Sequence, residues 1–197
     1  MMKKDCRSLI SVAYACDDKV YNLALVSAAS LLKNAGSEDL EIIILYSPAS
    51  LQNQNLRQFE ELKSIRDFKL RLVSVDETEF AGFPCVGWVT VATWFRCLLA
   101  DLLPDRDKII YLDCDTIVRH SLADMWNIPM SDKLLAGVED VSQSKKVSER
   151  IELQDKMYFN AGVAILNIAE WRKSGLFSKI KDYVIANKEQ IFFADQQ

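Results

Sequence analysis

The sequence predicts an α/β fold, a sheet with helices packed against it, in a chain of 197 residues. Apolar runs of strand length recur along the chain, segments whose apolar residues return every three or four positions separate several of them, and Gly or Pro stands where two of those segments should stop.

The first strand is Leu9–Ala15, which runs into Asp17 and Asp18. A helix follows over 20–32, where Val20, Leu23, Ala24, Ala28, Leu31 and Leu32 share one face and Asn34-Ala35-Gly36 supplies the stop. After a strand over 40–46, Ser50 gives a helix-start signal for 50–66, with Leu56, Phe59, Leu62 and Ile65 on its apolar face. A strand over 68–75 leads through the loop Glu79–Pro84 to a third helix over 90–102. There Val91, Trp94, Phe95, Leu98, Leu99 and Leu102 keep helical spacing until Pro104, which cannot continue it. Lys108–Leu112, 134–138 and 162–168 are the remaining strands. No repeat, low-complexity tract or linker divides the chain, so 1–197 is expected to be one domain, a length ample for a single core.

Half of the residues are hydrophobic and 26% are charged, the balance of a globular protein. A net charge of −4 argues against a surface built to track nucleic acid. Cys6, Cys16, Cys85, Cys97 and Cys114 make an odd set without C-x-x-C spacing, which suggests neither a zinc site nor a complete disulfide framework and fits reduced thiols in the cytoplasm. The basic start, MMKKDCR, is followed by a strand-like segment rather than a signal-peptide core. No apolar run approaches membrane-spanning length, so any membrane association, at the inner face, is expected to be peripheral.

The strongest chemical feature is Asp113-Cys114-Asp115 at the end of an apolar strand. Strand alternation would aim both carboxylates the same way, at the carboxyl end where open α/β sheets bind ligands. A D-x-D in an arbitrary chain is often just a pair of solvated turn residues. In this setting two aimed carboxylates invite a hard divalent cation such as magnesium, manganese or calcium, which could neutralise the pyrophosphate of a nucleotide sugar. The same segment also resembles the nucleophile motif of haloacid-dehalogenase-type phosphatases. That motif usually lies near the N-terminus and is followed by Gly-Thr, whereas Thr116-Ile117 follows here.

Taken in order, Ala15-Cys16-Asp17-Asp18, Glu79 to Pro84, Thr93-Trp94-Phe95-Arg96, Tyr111 to Asp115, Tyr158-Phe159-Asn160-Ala161-Gly162-Val163 with Asn167 and Trp171-Arg172, and Asp195-Gln196 resemble the motif set of family 8 glycosyltransferases. The similarity runs from about Leu9 to the last residue, and the bacterial lipopolysaccharide galactosyl- and glucosyltransferases look nearer than glycogenin.

This resemblance implies a single Rossmann-like GT-A domain with a mixed, mostly parallel sheet, and a retaining transferase that moves glucose or galactose from a UDP-sugar to a saccharide acceptor, lipopolysaccharide or another cell-surface glycan. Position by position, it implies that Ala15 and Asp17 hold the uridine, Asp113 and Asp115 ligate a metal, usually manganese with magnesium as the alternative, and Arg96 faces the donor sugar and phosphate. Asn160, in the Phe-Asn-Ala-Gly turn, and Asp195 would hydrogen-bond the donor sugar, and Asp140 would stand near the acceptor. Gln196 matches the position beneath the anomeric carbon. An amide is a poor nucleophile, so internal return guided by the leaving phosphate stands beside double displacement.

Lys19, Trp88 and Gln197 depart from the family pattern, where an Asn on the ribose, a His near the base and an Asp are common. Relatives continue to a third metal ligand, a His in a segment whose Lys also binds pyrophosphate. The only His here, His120, reads as a surface loop residue. The chain is therefore expected to be truncated at its C-terminus, with at most residual activity and with apolar surface that favours self-association. A non-catalytic nucleotide-binding fragment or regulatory relative is the rival reading.

Overall fold

The computed structural model describes residues 9–85, 89–141, 158–188 and 191. In chain order these form β1 (Leu9–Ala15), α1 (Tyr21–Asn34), β2 (Asp39–Tyr46), α2 (Asn53–Glu61), β3 (Lys69–Ser74), a 3-10 helix over Val91–Leu98 that continues as α3 (Leu99–Leu102), β4 (Lys108–Leu112), α4 (Ala123–Trp126), β5 (Leu135–Glu139), β6 (Phe159–Asn167), α5 (Ile168–Ser174) and α6 (Leu176–Ala186).

The six strands make one sheet in the order β3-β2-β1-β4-β6-β5. β1 pairs in parallel with both β2 and β4, and β2 in parallel with β3, while β6 runs antiparallel to β4 and to β5. This is the mixed, mostly parallel sheet of the expected fold. The central strands are apolar on both faces because both faces are covered. Ile10, Val12 and Tyr14 pack with Leu31, Phe59 and other residues of α1 and α2, whereas Ala13 and Ala15 pack with Trp94, Phe95, Leu99 and Trp171 on the other side. Strand order reverses at β1, since the chain moves outward to β3 and then returns to lay β4 on the opposite flank. The carboxyl ends of β1 and β4 therefore open side by side at a topological switch point, where sheets of this kind bind ligands.

Two helices differ from their sequence patterns. The chain makes a tight turn at 47–51, with Ser50 and Leu51 both donating to the Ser47 carbonyl, so α2 starts only at Asn53. It tightens to a 3-10 turn at Leu62, and Ile65 is exposed rather than on the apolar face. The segment 90–102 is mostly 3-10. Ala92, Trp94, Phe95, Arg96, Cys97 and Leu98 are all buried, so it has no solvent face to set an α period, and surrounding contacts such as Trp94 Nε1–H to the Pro84 carbonyl (3.1 Å) decide its geometry.

At the opposite, amino edge of the sheet, Glu41 interrupts the apolar β2 and is fully buried. Its carboxylate accepts from Ser11 Oγ (2.8 Å) and from Arg106 Nε and Nη2 (both 2.7 Å), and lies 2.8 Å from Lys69 Nζ. Burial alone would raise its pKa. The hydrogen bonds from Arg106, Lys69 and Ser11 outweigh it and hold the carboxyl at about 2. A carboxyl depressed in the folded state stabilises the protein above its ordinary pKa, and that contribution is lost as pH falls through the folded value. The contribution is about 3 kcal/mol by linkage. Glu41→Gln should cost most of this near pH 6, with the gap from wild type shrinking steadily from about pH 4 towards pH 2. Denaturant titrations at several pH values check this, and a pH-independent gap would contradict it.

Candidate active site

The rim at the switch point is built from the residues that follow β1 and β4, together with the start of β6. Ala13 of β1 and Tyr111 of β4 are paired, and the segments Ala15–Asp17 and Asp113–Asp115 follow them at matching positions along the two chain segments. The Cys114 thiol donates to the Ala15 carbonyl at 3.2 Å and joins them directly.

β4 ends at Leu112, one residue before the first carboxylate. Asp113 and Asp115 are therefore not aimed by strand alternation, as the pattern suggested. They sit on a turn in which Thr116 N–H and Oγ1 donate to the Asp113 carbonyl at 3.3 and 2.9 Å. The turn produces the same separation by another route, burying Cys114 while leaving Asp113 half-buried and Asp115 exposed.

Asp113 is the best-held group of the rim. Its N–H donates to the Gly162 carbonyl at 2.7 Å, extending the β4–β6 ladder by one rung. Its Oδ1 accepts from Arg96 Nη2 at 2.8 Å. The same guanidinium donates through Nη1 to the Ala161 carbonyl (2.9 Å) and through Nε to the Thr93 carbonyl (3.2 Å), and its central carbon lies 4.0 Å from the centre of the Tyr111 ring. Arg96 is only 8% exposed. A planar, permanently charged fork fits a buried place with acceptors on several sides, a role lysine cannot copy.

Asn160 lies in β6 rather than in a turn. The ladder to β5 shifts abruptly there, with Gly137 opposite Ala164 but Val138 opposite Asn160. The intervening residues bulge away from β5, as strands often do beside functional sites. The bulge frees the Ala161 carbonyl for Arg96, and Asn160 Oδ1 closes it by accepting from Gly162 N–H at 2.8 Å. Gly162 is required by space. A Cβ there would lie 2.5 Å from Asp113 Oδ2 and 2.9 Å from Asn160 Oδ1. Gly162→Ala must displace the Asp113 carboxylate that Arg96 holds. It should weaken metal-dependent nucleotide binding about tenfold, as disturbed support of a metal ligand does, while overpacking costs about 1–3 kcal/mol of stability. Paired nucleotide and thermal titrations check this, and unchanged affinity would contradict it.

On the β1 side Asp17 is buried. Its Oδ1 accepts from Lys19 N–H (2.9 Å) and its carbonyl accepts from Val20 and Tyr21 N–H, which turns the chain into α1. Asp18 Oδ1 accepts from Gln52 N–H (3.1 Å) and Asn55 Nδ2 (2.8 Å), tying this loop to the one after β2. Asp140 follows β5, its N–H donating to the Tyr158 carbonyl at 2.7 Å. With Val138, Glu139, Val141, Asn160 and Val163 it lines an open cleft of about 650 Å³.

The structure thus brings Asp113, Arg96 and, through Gly162, Asn160 into one bonded cluster, sets Ala15 against Cys114, and places Asp140 and Asn160 on the lining of one cleft. Asp195, Gln196, Trp88 and Gln197 lie outside the described residues. His120 is exposed, as expected of a loop residue. Sequence reasoning missed what Trp171 and Arg172 do. Trp171 Nε1–H donates to the Leu134 carbonyl (2.8 Å), and Arg172 caps the end of α3 and the loop beyond it through the Leu103 and Arg106 carbonyls (3.0 and 2.8 Å), so both brace the fold.

For a divalent cation the chemistry of the donor set fits. Asp113 and Asp115 offer hard oxygen ligands at an open rim, and among the described residues no group of three or more His, Cys, Asp or Glu side chains could form a closed cage. One or two carboxylates completed by substrate phosphates is a usual arrangement for magnesium-like ions.

Residues 11–197 match the model of glycosyl transferase family 8. A lipopolysaccharide 1,2-glucosyltransferase of Escherichia coli is 27% identical over 92% of this chain and 54% of its own length. A putative glycosyltransferase of Haemophilus influenzae is 25% identical over 95% of this chain and 57% of its own. The chain thus spans between half and two thirds of the length of these relatives. The crystal structure of the galactosyltransferase LgtC in complex with donor and acceptor sugar analogues superposes with a TM-score of 0.86 at 26% identity, covering 95% of this chain and 68% of that one.

Proposed function

We propose, taking as the premise that this chain belongs to glycosyl transferase family 8, that the protein transfers glucose or galactose from its UDP conjugate to a saccharide acceptor with retention of anomeric configuration. Lipopolysaccharide or another cell-surface glycan is the proposed acceptor, and the cytoplasm, at the inner face of the membrane, the proposed location. No described helix is long and apolar enough to cross a membrane. Family membership leaves the phosphatase reading of Asp113 without support. The observation that carries the proposal is the Arg96–Asp113–Gly162–Asn160 cluster at the switch point, beside the exposed Asp115.

A divalent cation bound to Asp113 and Asp115, manganese or magnesium, would neutralise the charge that develops on the leaving diphosphate. Arg96 fixes the Asp113 carboxylate so that one oxygen remains for that task. Ala15 and Asp17 present backbone and carboxylate acceptors to the uracil, and Asn160 and Asp195 orient the hexose by hydrogen bonds to its hydroxyls. Asp140 and its cleft receive the acceptor. Gln196 is assigned to the face of the sugar opposite the diphosphate, where it supports the anomeric centre during either double displacement or internal return.

The test is a transfer assay with UDP-glucose and UDP-galactose and a panel of oligosaccharide acceptors, followed by NMR of the product. An α-linked sugar with matching UDP release is expected. UDP binding without release of hexose to any acceptor would instead make the protein a nucleotide-binding relative.

A further inference from the structure

Cys16 and Cys114 stand at equivalent places in the two loops that frame the candidate site, one residue beyond Ala15 and one beyond Asp113. Ala13 and Tyr111 are paired residues of β1 and β4, and Cys16 and Cys114 each follow them three positions later. Both side chains turn to the same face of the sheet and belong to the same core cluster with Tyr14 and Leu112. Both are free thiols, Cys16 fully buried and Cys114 8% exposed, and Cys114 Sγ lies 3.2 Å from the carbonyl oxygen of Ala15, the residue that precedes Cys16. β1 and β4, which lead into the two loops, are adjacent strands, and such strands lie about 4.8 Å apart, while a disulfide spans Cα separations of roughly 4.4–6.8 Å.

We propose that Cys16 and Cys114 are a redox pair that closes to a disulfide when the protein meets hydrogen peroxide or a low-molecular-weight disulfide, and that the closed form holds the nucleotide site in a non-binding arrangement. One peroxide molecule takes two electrons and two protons from the two thiols, one S–S bond forms, and two waters leave. With a small disulfide, thiol exchange gives the same cystine and two equivalents of the reduced small thiol.

The consequence for the site follows from distance. An S–S bond is about 2.05 Å long, well inside the contact distance of two thiols. Closing it must draw the loops together and remove the hydrogen bond from the Cys114 thiol to the Ala15 carbonyl. Asp113 and Asp115 flank one sulfur and Ala15 and Asp17 flank the other, so both halves of the site shift together. Cys85 is exposed and Cys97 is buried in the other core cluster, so neither competes for this pairing by position. The binding half of this inference rests on the proposed nucleotide site, whereas the bond itself does not.

The experiment oxidises the whole protein under native conditions with hydrogen peroxide, alkylates residual thiols after denaturation, and maps tryptic peptides. Cleavage at Arg7, Lys19, Lys108 and Arg119 places the two cysteines in SLISVAYACDDK and IIYLDCDTIVR. The expected product is these two peptides joined, 2 Da lighter than their sum, separable by reductant and absent from Cys16→Ser and Cys114→Ser proteins. Recovery of both cysteines alkylated, or a bond through Cys85 instead, overturns the redox pair. In parallel, UDP titration with manganese should show affinity about tenfold or more weaker in the oxidised protein, a size typical of disturbed support around a metal ligand, and restored by reductant. A mapped disulfide with unchanged UDP affinity overturns the gating half. Failure of the reduced protein to bind UDP would instead count against the proposed function and leave the peptide map to decide the bond.

Discussion

Asp113→Asn is expected to lower UDP affinity in the presence of manganese by about 10²-fold and transfer by at least as much, the scale on which one electrostatic group acts at a developing charge. The substitution keeps the shape and the N–H to Gly162 but removes the charge that a cation needs and that Arg96 neutralises. Asp115→Asn should act in the same direction, with less effect on stability, because Asp115 is exposed. The check is calorimetric titration of wild type and both variants with UDP, with manganese and with chelator. With chelator, wild type and variants should converge, since what has been removed is the ligand for the ion. A variant that binds UDP as well as wild type in manganese would remove that carboxylate from the site.

Arg96→Met should be the second most damaging change, and it should act on stability as well as on binding. It removes the partner of Asp113 and leaves the Ala161 and Thr93 carbonyls without their guanidinium donors. Breaking a fully buried ion pair costs 3–5 kcal/mol as a rule, but the Asp113 side chain is 40% exposed and water can reach it, so about 2 kcal/mol is expected. Metal-dependent UDP affinity should fall by about 10–100-fold, the effect of losing the group that orients a metal ligand. Arg96→Lys keeps the charge but not the fork, and should restore much of the stability while restoring little of the binding. Thermal unfolding and UDP titration of both variants check the split. Full binding by Arg96→Lys would show that charge alone, not orientation of Asp113, is what Arg96 supplies.

The strands of this fold were legible because each central strand is covered on both faces and so reads as a nearly continuous apolar run, broken only at places such as Ser11 and Glu41. Their order was not. That β6 lies beside β4, antiparallel, with β5 outside it, depends on pairings such as Ile110 with Ile165 that no local pattern encodes. Helices α5 and α6 went unassigned although Ile168 and Trp171, and Leu176, Phe177, Ile180 and Val184, carry the spacing that should have revealed them. Glu41 left a plainer signal, since a carboxylate inside Leu40-Glu41-Ile42-Ile43-Ile44 must be paired if the strand is buried.

The site was legible as residue types and only partly as geometry. Asp113 and Asp115 stood out at the end of β4, yet a turn aims them, one residue beyond the strand. Arg96 was recognisable only by likeness, because its partners Asp113 and the Ala161 carbonyl are 17 and 65 positions away. The bulge that moved Asn160 from a turn into β6 arises from a mismatch between two strands, which is invisible in either one alone.

The central claim is that the rim between β1 and β4 is a metal-dependent uridine-diphosphate site. Titration of the wild-type protein with UDP and with ADP, each in manganese and in chelator, tests it most directly. UDP should bind in manganese, more tightly than ADP, and lose most of its affinity when the metal is removed. Equal affinity for UDP with and without metal, or a preference for ADP, would contradict the account.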